Sequence, residues 1–170
     1  MDTERSDRKA ASFLRGGKVR ESKTQTYERR FSFPPEIVFP QLCPSRELDW
    51  IPGWDCDLVH TSTGYAEDGC VFSTPATNAL GDGIWVFTRY QPDQLVEVVR
   101  VGGSTVTYLR IRLVDHHDGA CTGIWNLRIT ALNGDGNEVV ASRPDHEPGF
   151  EKMLDGLEHF LRTGRMLRPA

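Results

Sequence analysis

What the chain lacks narrows its purpose. No window approaches the ~18 apolar residues that a membrane-spanning helix needs. The first residues carry no apolar core of a secretory signal, so a soluble, cytoplasmic protein is expected. Cysteine is scarce: Cys43, Cys56, Cys70 and Cys121 form no C-x-x-C pair and match no zinc spacing. Reduced, partly buried thiols are expected, with no metal and no cofactor. There is no G-x-S-x-G elbow for a nucleophilic serine. Gly102-Gly103-Ser104 is followed by neither a helix nor a Lys-Ser/Thr pair, so it reads as a hairpin loop rather than a phosphate cradle. Positive charge is not in excess. The net charge of −4 argues against a nucleic-acid groove as the main purpose.

What is there is one strong helix and a long run of alternation. In Pro148–Leu167 the apolar residues Phe150, Met153, Leu154, Leu157, Phe160 and Leu161 recur at the spacing of one helix face. Glu151, Lys152, Asp155, Glu158 and Arg162 fill the other face. Pro148 suits the first turn and Gly164 the C-terminal cap, while Arg162 and Arg165 complement the negative end of the dipole. A chain of 170 residues fits one domain. Residues 1–23 read as a flexible N-terminal arm, with a short helix around Arg8–Leu14 at most, and the folded domain takes 24–170.

A first strand is expected from Thr24 to Phe33, ended by Pro34 and Pro35. Two short helices follow, Pro35–Leu42 and Arg46–Trp50, before the turn pair Pro52-Gly53. Period two then takes over in Asp55–Ser62, Cys70–Thr74, Ile84–Tyr90, Gln94–Val101, Thr105–Asp115 and Ala120–Leu132. Turn residues such as Asp118-Gly119 separate these strands, and Asn133–Asn137 reads as a further turn. The spacing predicts an antiparallel meander covered by the long helix. The inward face of Ile84–Tyr90 stays open, because Ile84, Val86, Thr88 and Tyr90 alternate with Trp85, Phe87 and Arg89, and both sets hold large apolar groups.

This order of elements resembles the START-like, or SRPBCC, superfamily, which includes polyketide cyclases, pollen-allergen-like proteins and lipid-transfer domains. The local markers are F-x-F-P-P-E-x-V-F at Phe31–Phe39, the Trp50/Trp54 segment and the terminal amphipathic helix. The resemblance covers roughly Thr24 to Leu167. It implies an α+β helix-grip fold: a curved seven-stranded antiparallel sheet around a long C-terminal helix, with two short helices after strand 1. It also implies a hydrophobic cavity between helix and sheet.

Few residues mark chemistry. His60, on a strand beside Cys56 and Leu58, titrates near neutrality and is a candidate acid or base. Arg89 and Glu97 are the other catalytic candidates. His116 and His117 sit with Asp115 and Asp118, but neighbours in a tight hairpin point different ways, so no metal is expected there. Asn133, Asp135 and Asn137 space like calcium ligands without the bidentate glutamate in register. In CPSRELDWIPGW, Trp50 and Trp54 can bury large areas and close a cavity mouth, and Arg46, Glu47 and Asp49 can hold one another or a ligand's polar head. The expected ligand-binding set is Trp50, Trp54, Trp85, Trp125, Met153, Leu157 and Phe160. Gly156 either leaves room for a ligand or permits a close contact. The leading reading is a module that binds a small hydrophobic or amphipathic molecule. The alternative is a polyketide cyclase/dehydratase-type enzyme using the same cavity. A third reading, a protein-interaction domain, would need an exposed apolar patch on the outer face of the sheet.

Overall fold

Alternation becomes pairing along the whole strand-forming run. The computed structural model describes residues 20–78 and 81–168. The expected arm and its short helix lie outside the described residues as far as position 19, and β1 (Ser22–Phe31) takes the arm's last two residues. The other strands are β2 (Asp57–His60), β3 (Val71–Thr74), β4 (Gly83–Gln91), β5 (Leu95–Val101), β6 (Thr105–Asp115) and β7 (Cys121–Ala131). They form one seven-stranded antiparallel sheet in the order β1-β7-β6-β5-β4-β3-β2. Strands β2 to β7 are sequential neighbours, and β1 closes on β7, far away in sequence.

Prolines shape the segment between β1 and β2. Pro35 opens α1 (Pro35–Val38), which tightens into a 3-10 turn at Phe39–Leu42. Pro40 lacks the N–H that an α-helix would bond back to Glu36, so the tightening follows from the sequence. Pro44 starts α2 (Pro44–Glu47), two residues before the expected second helix.

A bulge settles the face of β4. Phe87 pairs with Val98 but Arg89 pairs with Glu97, leaving Thr88 as the extra residue. Trp85 and Phe87 therefore face the core, and the bulge brings Tyr90 to the same side. The same slip turns Arg89 outward.

Two helices complete the chain. Asn133–Asn137, expected as a turn, instead starts α3 (Gly134–Ser142). Asn133 is its N-cap, accepting the Gly136 N–H at 2.9 Å. Val140 of α3 packs on Ile129 and Ala131. The long helix, α4 (Pro148–Thr163), ends at Gly164, whose φ of 66° is the left-handed cap conformation. Leu154 and Leu157 are fully buried, each worth about 2 kcal/mol of transfer free energy. The polar face of α4 is not simply solvated. Arg29 of β1 donates to Asp155 at 2.7 Å, Glu151 at 3.0 Å and Glu158 at 3.3 Å, so one guanidinium ties three turns of helix to the sheet. The linker before α4 is fastened to the same strand: Gln25 donates to the Pro144 carbonyl at 2.7 Å, and the Tyr27 hydroxyl accepts the Glu147 N–H at 2.9 Å. The helix is thus held along the edge of the sheet and across its concave face.

Candidate ligand-binding groove

Register orders the concave face into cross-strand rows. One row runs Tyr27, Trp125, Ile111, Val96, Tyr90 across five strands. The next runs Gln25, Leu127, Leu109, Val98, Phe87. Aliphatic side chains thus make the middle of the floor, and aromatic side chains flank it. On the β1 side Tyr27 stacks on Phe150 at 4.1 Å, and Trp125 meets Phe31 and Phe150 at 6.2 and 6.4 Å. On the other side Phe72 stacks on Trp85 at 5.4 Å and touches Trp54 and Phe87, while Tyr90 meets Phe39 at 5.2 Å. Gly123 makes room for the Trp125 ring: a Cβ there would lie 2.4 Å from the indole.

The tryptophan corner closes one side. Trp50 donates its indole N–H to the Gln41 carbonyl at 3.1 Å and Trp54 donates to Pro44 at 2.9 Å, so both rings present apolar faces. The Trp50 carbonyl lies 3.7 Å from where a Gly156 Cβ would stand, which brings the corner onto α4. Trp50, Trp85, Trp125 and Leu157 are buried in the core, whereas Trp54, Met153 and Phe160 keep part of their surface. Glu47 is half-buried in this corner, and desolvation pushes its carboxyl up to about 8. Burial, then the charge of Glu47, pushes the Cys56 thiol up to about 11. Outside the corner, Arg46 lies over the Tyr65 ring at 5.1 Å, and an open hollow of about 420 Å³ is lined by Ser45, Arg46, Asp49, Thr63, Gly64 and Tyr65.

The three catalytic candidates do not converge. His60 is exposed on the edge strand β2, where a bulge at Val59 pairs it with Val71. Glu97 lies on the convex face between Arg89 at 3.7 Å and Arg110 at 3.4 Å. His116 shares a hydrogen bond of 2.8 Å with Thr122, and His117 pairs with Asp115 at 3.0 Å, both at the surface. Among the described residues no three His, Cys, Asp or Glu side chains are grouped as metal ligands. All four cysteines are free. On the outer face Ile84 and Val101 oppose each other, 48% and 47% exposed, with half-buried Val86, Val99 and Val106 beside them. Polar side chains on the concave side are Lys23, Gln25, Arg29, Thr107 and Arg100 of the strands, with Glu47 in the tryptophan corner, among the described residues. Arg100 shares the inward parity of Val96 and Val98 on β5, a signal present in the alternation of that strand.

No protein-family model matches the sequence, and no curated protein matches it. Solved structures do match in shape. Norcoclaurine synthase from Thalictrum flavum, in complex with dopamine and hydroxybenzaldehyde, superposes with a TM-score of 0.62 at 12% identity, covering 84% of this chain and 88% of that one. An uncharacterised protein of Rhizobium leguminosarum gives a TM-score of 0.59 at 16% identity, covering 85% of this chain and 99% of its own. The chain shares the helix-grip fold of these structures. Ara h 8.0201 has the same helix-grip architecture, with a TM-score of 0.57 at 13% identity over 84% of this chain and 99% of that one. Among the described residues no helix is long and apolar enough to cross a membrane.

Proposed function

We propose that the protein binds a small apolar or amphipathic molecule in the groove between α4 and the concave face of the sheet. A mismatch of burial carries the reading. Inward residues on a central strand should be sealed in a filled core, yet Leu109 and Thr107 of β6 are only half-buried. Met153 and Phe160 on the apolar stripe of α4 also keep open surface. Methionine and aromatic side chains adapt to a ligand's shape without demanding hydrogen bonds. A structural neighbour of the same fold was solved with two small aromatic molecules. The wall of the groove is Trp54, Leu109, Met153 and Phe160, with Trp50, Trp85, Trp125 and Leu157 holding its shape from the core. Native mass spectrometry of the purified protein tests the reading, alongside a titration with the fluorescent probe N-phenyl-1-naphthylamine. A co-purifying small molecule or saturable probe binding is expected. A protein that carries nothing and leaves the probe dark would overturn it.

A second reading has one observation in its favour. Glu47, pushed up to about 8 by burial, titrates close to neutral pH and can both give and take a proton beside the groove. A cyclase-type activity would then use Glu47 rather than His60, Arg89 or Glu97. Deuterium exchange at the carbon between the carbonyls of an added 1,3-diketone tests it. Acceleration by the wild type and its loss in Glu47→Gln are expected, and equal rates in both would remove the enzyme reading.

A further inference from the structure

The third row of the concave face breaks the apolar pattern. It runs Lys23, Ile129, Thr107, Arg100, Trp85, Phe72. Lys23 is neutralised by Asp145 at 3.0 Å and also donates to the Arg143 carbonyl. Arg100 makes no ion pair among the described residues. Its guanidinium lies over the Trp85 ring at 5.8 Å, and Nη2 donates to the Asp82 carbonyl at 2.6 Å, the one acceptor it meets among the described residues. Nε is buried with no acceptor. Arg143, which follows α3, also buries Nε without an acceptor and sits close enough for its charge to oppose that of Arg100. The Asp82 carboxylate attracts Arg100 but forms no ion pair with it, and no ion pair is made by Arg143 among the described residues.

Arg100 is also held in place. A Cβ on Gly83 would stand 2.8 Å from its Nε, and one on Gly102 would stand 3.1 Å from its Nη1. Gly83, which opens β4, and Gly102, which follows β5, therefore make the space the guanidinium fills, and the indole beneath fixes its plane. Two partly buried cations near one another, neither in an ion pair among the described residues, carry a desolvation cost that an anion between them would offset. Planar guanidinium groups suit carboxylate and phosphate oxygens in particular.

We infer that Arg100 and Arg143 form the head-group end of the groove, a cradle for the anionic head of an amphipathic ligand whose apolar body lies over the Leu109 and Ile111 rows. This rests on the proposed function and adds the charge and direction of the ligand. Successive inward rows are about 7 Å apart, so the distance from the Arg100 row to the Tyr90 row is about 14 Å. That length is close to an extended ten-carbon chain.

The test is displacement of N-phenyl-1-naphthylamine by decanoate, decyl phosphate and 1-decanol from the intact protein. At least one anion is expected to compete about tenfold more strongly than decanol, and the advantage should shrink with added salt. Which anion wins identifies the head as carboxylate or phosphate. Arg143→Met and Arg100→Met should each remove most of that advantage while leaving decanol unchanged, with Arg143→Lys retaining part of it. Decanol competing as well as both anions on the wild type overturns this inference alone, and needs no variant to fold. Failure of the probe itself to bind overturns the binding reading along with it.

Discussion

Replacing Glu47 with glutamine should change how stability depends on pH. The carboxyl is raised from an ordinary 4.5 to about 8 by desolvation in the tryptophan corner. A carboxyl with a raised folded-state pKa holds its proton more tightly when folded. Its contribution is therefore complete below the unfolded value of 4.5 and is lost as pH rises through about 8. One differentially bound proton gives a slope of about 1.4 kcal/mol per pH unit inside that window. The full window would amount to about 5 kcal/mol. Glu47 is only half-buried and ends a four-residue helix, so the ionised side chain can turn toward water, and about 1–3 kcal/mol is the realistic loss. Glutamine keeps the shape and never ionises. Urea unfolding at pH 5, 6.5 and 8 should show wild type and Glu47→Gln close together at pH 5, with the variant ahead by that margin at pH 8. Parallel stabilities across the range would show that the carboxyl is solvated and the corner open.

Two glycines should respond in opposite directions. Gly156→Ala places a Cβ at an ordinary 3.7 Å from the Trp50 carbonyl, and alanine suits a helix interior. A gain of about 0.5–1 kcal/mol in thermal unfolding is expected, and a loss would mean the corner sits closer to α4 than described. Gly136→Ala would put a Cβ 2.0 Å from the Ser104 carbonyl, so α3 must shift off β7. That should cost about 3 kcal/mol by denaturant titration, and an unchanged midpoint would refute the contact. Asn133→Ala removes the cap of the same helix and should cost about 1 kcal/mol in the same assay, with Asn133→Asp nearly neutral.

Much of the fold is legible because faces and periods are legible. The stripe Phe150, Met153, Leu154, Leu157 on α4 and the alternation of Leu109 to Leu113 leave little choice of side. Three features escape that logic. The bulge at Thr88 has no local signature, since a one-residue insertion costs nothing in composition, and it decides where Tyr90 and Arg89 point. Helix α3 hides behind Gly134-Asp135-Gly136-Asn137, residues that favour turns. It forms because Asn133 caps it, Val140 docks on Ile129 and Ala131, and Gly136 admits the Ser104 carbonyl. Charge pairing between residues 122 to 129 apart is the third. The acidic face of α4 looks solvated until Arg29 is placed beneath it, and Arg100 looks like a surface residue until the row it belongs to is known.

The central claim is that the space beneath α4 is a groove and not a filled core. Leu109→Trp and Leu157→Trp separate the two. Leu109 is half-buried on the floor, whereas Leu157 is 0% exposed. Titration of N-phenyl-1-naphthylamine, read beside a thermal melt of each protein, should find that Leu109→Trp binds the probe at least about tenfold more weakly while its stability stays within about 1 kcal/mol of wild type. Leu157→Trp should instead overpack the core and lose about 1–3 kcal/mol. A Leu109→Trp protein destabilised as much as Leu157→Trp, with probe signal no weaker than wild type, would contradict the account.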